Sequence, residues 1–91
     1  MEQAKNKQNL VGPVVRRLRI ASGLSQEELA ARLQIAGWDI TRAGLSKIEA
    51  RIRRVNDAEI LILAKVLECA VHDLFPDRPK DIAAVLRQGR N

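Results

Sequence analysis

Two runs of residues have the types and spacing to do chemistry. The first is Leu24-Ser25-Gln26-Glu27-Glu28-Leu29-Ala30 and the second is Leu45-Ser46-Lys47-Ile48-Glu49. Each reads as a short, well-delimited helix. The second carries basic and small residues on its exposed side, as a helix must to enter a DNA major groove. Other chemistry finds little support. The lone histidine, His72, stands beside Asp73, with no cysteine, serine or second histidine at a nucleophilic or metal-binding spacing. It reads as a surface residue of a short helix. The single Cys69 lies in an apolar helical stretch and reads as a small core residue. The chain is expected to be non-catalytic, with no cofactor and no metal.

Composition points the same way without deciding it. The chain has 91 residues, Lys+Arg 16 against Asp+Glu 11 and a net charge of +5; the sequence pI is near 10.1. Such a balance favours a polyanionic partner, although net charge speaks to non-specific attraction and not to fold. The apolar share rests on Leu, Ile, Val and Ala, with one Trp, one Phe and no Tyr, which suits packed helices better than a sheet. At this length one small domain fits. A lone cysteine can form no internal disulfide and fits a reducing compartment. No apolar run approaches the roughly 18 residues of a membrane span, and the polar start lacks the apolar core of a signal peptide. A cytoplasmic location is expected.

The elements that must position these residues follow from periodicity and caps. Residues 1–9 read as a flexible polar N-terminus. Val11, Val14, Leu18 and Ala21 are spaced for one face of a first helix, which begins between Asn9 and Gly12 and ends at Ser22-Gly23. Pro13 fits only in its first turn. Ser25 and Glu28 form a capping box for the second helix, and Leu24 and Leu29 stand at the positions of a hydrophobic staple. That helix runs through Leu33 and stops at Gly37. Thr41 can cap a short third helix with Leu45, Ile48 and Ile52 facing inward. Residues 51–55 read as a basic loop. Asn56 caps a fourth helix, apolar on almost every side and hence central to the core. A short fifth helix over residues 71–75 ends before Pro76, and residues 79–88 can form one more.

Taken in order, Leu24-Ser25-Gln26-Glu27-Glu28-Leu29-Ala30, Leu45-Ser46-Lys47-Ile48-Glu49, Leu63-Ala64-Lys65-Val66-Leu67 and Asp73-Leu74-Phe75 resemble the phage repressor and Cro family, also called XRE-type. The resemblance covers roughly residues 10–76. It implies an all-α, five-to-six-helix lambda-repressor-like DNA-binding domain, with residues 77–91 as a short C-terminal helix or tail. It also implies a recognition helix at about residues 41–51, lying in the major groove while the preceding helix crosses the backbone. Arg42, Ala43, Ser46 and Lys47 then occupy the positions that resemble the family's base-reading residues. Arginine or lysine there suits guanine, and Ala43 suits a thymine methyl group. As ordinary helix residues, Arg42 and Lys47 would simply be solvated charges.

Gln26, Thr41, Arg51, Arg53 and Arg54 are the candidates for phosphate contacts, which position a protein without reading sequence. The bland reading of the three arginines is a solvated loop. Arg19 and Glu49 match a pair that ties the first helix to the end of the recognition helix in similar proteins. Two features depart from the family pattern. Residues 34–39 look inserted, lengthening the helix-turn-helix connector, and Trp38 within them could cover the core edge, stack on DNA sugar or form an interface. Arg51 and Glu68 stand where the family often has Gly, so those helix ends are expected to be extended or strained.

The implied function is sequence-specific binding of double-stranded DNA by a transcriptional regulator, a repressor first, as a homodimer on a pseudo-palindromic operator. The alternative is an antitoxin or adaptor, in which the same fold holds a protein partner such as a toxin. Ile62 on the fourth helix, with Ile82, Val85 and Leu86, would suit either an interface or the core.

Overall fold

The computed structural model describes residues 7–88, so the expectation of a polar mobile stretch over residues 1–6 lies outside the described residues. The chain is all-helical: α1 (Gly12–Ala21), α2 (Gln26–Ile35), α3 (Arg42–Glu49), α4 (Asp57–Leu67), a 3₁₀ turn (Val71–Leu74) and α5 (Ile82–Gln88). Among the described residues there is no strand, and no helix is long and apolar enough to cross a membrane.

The helix starts follow the caps written in the sequence. The Ser25 side chain accepts from the Glu28 amide while the Glu28 carboxylate accepts from the Ser25 amide, at 3.0 and 2.8 Å. These bonds satisfy two of the donors every helix N-terminus leaves unpaired. Asn56 and Glu59 repeat the device on α4, and the Thr41 hydroxyl accepts from the Gly44 amide at 3.0 Å on α3.

The first four helices end in one common way. The amides of Leu24, Trp38, Ile52 and Cys69 reach back to the carbonyls of Arg19, Leu33, Lys47 and Ala64. This is the six-to-one bond of a Schellman motif, which needs a left-handed residue just before its donor. Gly23 and Gly37 fill that position at φ 76° and 112° without a Cβ penalty. At the other two ends it is Arg51 (φ 66°) and Glu68 (φ 58°) that turn the chain. Both helices therefore stop where the glycine pattern would stop them, with a strained residue at the corner.

The core is built from Val11 and Val15, Leu29, Ala30 and Leu33, Ile40, Leu45 and Ile48, Leu63, Ala64 and Leu67, and Leu74. It differs from the periodicity reading at two places. Ala21 is exposed, and Val15 with the buried Arg19 completes the inner face of α1. Ile52 is 51% exposed, because it lies beyond the Schellman turn and no longer follows the helical repeat of α3. The final helix starts at Ile82, not Pro79, and the segment after Leu67 is a 3₁₀ turn ending at Leu74. Val85 is half-buried while Ile82 and Leu86 stay exposed.

The flanks are tied to this core. Asn9 is buried; its amide nitrogen donates to the carbonyls of Ile48 and Arg53 at 3.2 and 2.7 Å, and its oxygen accepts from the Gly12 amide at 2.8 Å. The Gln8 amide donates to the Arg51 carbonyl at 3.0 Å. Gln8 and Asn9 are thus held against the end of α3 and the turn after it, and Lys7 is held by Asp81, in place of the mobility expected for them. Close approach is possible because residue 12 is glycine: a Cβ there would run into the Ile48 carbonyl oxygen.

Candidate nucleic-acid interface

Helix α3 presents two rows of side chains. Leu45, Ile48 and Glu49 face inward and are buried. Opposite them, Arg42, Ala43 and Lys47 are exposed and Ser46 is half-buried. The four side chains named from the sequence therefore share one outward surface, at the i, i+1, i+4, i+5 spacing that puts them along one helix face. Neither Arg42 nor Lys47 is in an ion pair among the described residues, so both cations are open to an external acceptor.

Three sets of contacts fix the pose of α3. At its core-facing end, Arg19 grips Glu49: Nε donates to Oε2 at 2.7 Å and Nη2 to Oε1 at 3.0 Å. The two side chains are only 10% and 2% exposed. Arg19 Nη1 also donates to the Leu24 carbonyl at 2.8 Å, tying the α1–α2 turn into the pair. The Glu49 hydrogen bond raises the Arg19 pKa against the cost of burial. Glu49 Oε1 further accepts from Gln26 Nε2 at 2.9 Å. An amide nitrogen carries two hydrogens, so this bond leaves one on Gln26 at the start of α2.

Ahead of α3, the connector of residues 36–41 is closed by its own bonds. Gln34 Nε2 donates to the Ile40 carbonyl at 2.6 Å, and the Ile40 amide donates to the Trp38 carbonyl at 2.7 Å. Ile40 itself is buried and anchors the segment just before Thr41. Trp38 is half-buried and packs against the core edge.

Behind α3, Arg53 returns to the same place. Its guanidinium lies 5.7 Å from the centre of the Trp38 ring, within cation–π range. It donates to both carboxylate oxygens of Glu59 at 3.0 Å each. That bidentate bond holds the Glu59 carboxyl below its usual range and lifts the Arg53 guanidinium. The loops entering and leaving α3 are thereby joined to each other and to the first turn of α4.

The remaining phosphate candidates divide. Thr41 and Arg54 are exposed, while Arg51 is half-buried. Arg51 Nε donates to the Asn9 carbonyl at 2.8 Å and Nη1 to Asp81 at 2.9 Å. Arg51 and Arg53 therefore brace the domain through long-range contacts. Sequence reading missed the partners Asn9, Glu59 and Asp81; Asn9 and Asp81 lie 42 and 30 residues from Arg51, and Glu59, six residues from Arg53, meets it only through the turn between α3 and α4. Asn9, Asp81 and Glu59 are each legible as residues at a helix start but not as arginine partners.

A family model described as helix-turn-helix matches residues 15–74. No curated protein and no solved structure matches the chain. The matched span runs from the middle of α1 to the end of the 3₁₀ turn and holds α2, the connector and α3 entire. The chain belongs to the XRE-type helix-turn-helix family, with the all-helical lambda-repressor type of fold and the DNA-binding regulator role of that family.

Proposed function

We propose that this protein is a sequence-specific repressor that reads double-stranded DNA with α3. Arg42 and Lys47 donate to base acceptors, guanine O6 and N7 first among them; Ala43 packs on a thymine methyl group and Ser46 adds a hydroxyl contact. Gln26, Thr41 and Arg54 position the domain on phosphates, while Arg51 and Arg53 add charge from braced positions. The observation that supports this most is the shared open face of Arg42, Ala43, Ser46 and Lys47 above a buried Leu45–Ile48–Glu49 row. A homodimer on a pseudo-palindromic operator, with half-sites about 10 bp apart, follows from two-fold symmetry. The reading carries with it a cytoplasmic location and no catalytic role.

A second reading has its own observation. Leu61 on α4 is 62% exposed and Leu86 on α5 is 67% exposed, apolar surface that a second copy of the chain or a different protein could cover. An antitoxin or adaptor would use it to hold a protein such as a toxin, and could bind its own operator as well.

The test is duplex binding across a salt series. Repressor function requires the affinity to fall with log[salt] at a slope of about −0.9 per phosphate contacted. Absence of duplex binding at low salt would favour the protein-interaction reading.

A further inference from the structure

Beside the C-terminal end of α3 lies a cleft of about 370 Å³, lined by Leu10, Pro13 and Val14, by Pro76 and Asp81, and by Arg17, Arg51, Arg78 and Lys80. Its charged lining comprises four cations and one carboxylate. Among the described residues Arg17, Arg78 and Lys80 have no ion-pair partner. Arg51 is different, because its guanidinium is fixed by the Asn9 carbonyl at 2.8 Å. Onto it falls the carboxylate of Asp81, whose Oδ2 accepts both from Arg51 Nη1 at 2.9 Å and from Lys7 Nζ at 3.2 Å. One oxygen thus already sits where two cations converge. Those bonds hold the Asp81 carboxyl below its usual range.

We propose that this cleft is a phosphate-binding site, with Arg51 as its fixed fork, Arg17, Arg78 and Lys80 as its rim, and Asp81 as an internal oxyanion competing for the fork. The chemistry favours phosphate over carboxylate. A phosphate places its non-bridging oxygens around a tetrahedral centre, two with one charge in a DNA diester and three with up to two charges in a monoester, and so can engage the rim cations that Asp81 leaves unpaired while it also meets the fork. The lining comes mostly from outside the recognition face: from α1 and from residues 76–81, beyond the family-matched span. Only Arg51 links it to α3. The phosphate has two possible sources, the backbone of bound DNA or a free phosphorylated solute. The first source rests on the DNA-binding reading above and the second does not.

The experiment uses the full chain and two variants of equal charge. One replaces the rim, Arg17→Gln/Arg78→Gln/Lys80→Gln; the control replaces exposed cations elsewhere, Arg16→Gln/Arg32→Gln/Lys65→Gln. Sodium pyrophosphate is titrated at low ionic strength and followed by amide NMR shifts, and a random-sequence duplex is titrated across a salt series. The expected result is a saturable pyrophosphate response at the amides of Arg17, Arg78, Lys80 and Asp81, lost in the rim variant and kept in the control. If DNA is the source, the rim variant also lowers the salt slope by about 0.9, the share of the one phosphate released, more than the control does. If a free solute is the source, the slope falls equally in both variants. Equal loss of the pyrophosphate response in both variants, or no saturable response in the parent, overturns the proposal. A parent chain that takes pyrophosphate in the cleft but binds no duplex would contradict the regulator reading and leave the site standing.

Discussion

Arg19 and Glu49 form the tie between α1 and the end of α3, with donor–acceptor distances of 2.7 and 3.0 Å in a fork-to-fork arrangement. Because both side chains are almost wholly buried, removing one leaves the other charge without its counter-ion, held only by neutral partners, Gln26 for Glu49 and the Leu24 carbonyl for Arg19. Arg19→Ala is expected to cost about 3–5 kcal/mol of unfolding free energy, read by urea denaturation. Arg19→Lys should recover only part of it, since an ammonium cannot match the two-pronged geometry. A cost near the 0–1 kcal/mol of a surface pair would show that the pair does not hold α3.

The two non-glycine corners separate strain from contact. Glu68 turns the end of α4 at φ 58° with an exposed side chain. Glu68→Gly is expected to stabilise by about 0.5–1 kcal/mol, because the left-handed penalty of an L-residue exceeds glycine's entropic cost there. Arg51→Gly relieves the same strain but loses the bonds to Asn9 and Asp81, so no gain is expected. Thermal unfolding of the two variants side by side checks the contrast.

Gly12 lets α1 touch α3. A Cβ at this position would strike the Ile48 carbonyl oxygen and approach Asn9 Oδ1 to 3.0 Å. Gly12→Ala should therefore destabilise by about 1–3 kcal/mol as the helices are pushed apart, although alanine is intrinsically the better helix former. Denaturant titration showing an unchanged or raised midpoint would contradict the packing described.

The Arg53–Glu59 pair sets a pH window. The Arg53 hydrogen bond depresses the Glu59 pKa in the folded state. The associated stability is present above the unfolded glutamate pKa of about 4.3 and is lost as pH falls through the lower folded value. Stability should drop from about pH 5 downward, and Glu59→Gln should flatten part of that drop. Trp38, stacked against Arg53, is the chain's one tryptophan, and its fluorescence should report the local loosening.

Sequence legibility stopped where contacts became non-local. The caps at Ser25, Thr41 and Asn56 were readable because their bonds span three residues. The glycine corners at 23 and 37 were readable for the same reason. Asn9 bonds across 39 and 44 residues and Asp81 across 30 and 74; no local pattern encodes such a partner. Ile40 escaped notice because it stands alone between Asp39 and Thr41, with no period to join. The outward set on α3 was legible because burial of Leu45, Ile48 and Glu49 dictates which neighbours face out. The contacts that close the connector, Gln34 on the Ile40 carbonyl and Arg53 over Trp38, were not, and they hold α3 together with the Arg19–Glu49 pair.

The central claim, that α3 reads bases through Arg42 and Lys47, is tested most directly by selecting bound duplexes from a random pool with the parent chain and with Lys47→Ala and Arg42→Ala in parallel. The parent should enrich a two-fold site with half-sites about 10 bp apart. Each variant should lose preference at its own position within each half-site, at a cost of about 1–3 kcal/mol. Enrichment of the same site with undiminished preference by both variants, or of no site by the parent, would contradict it.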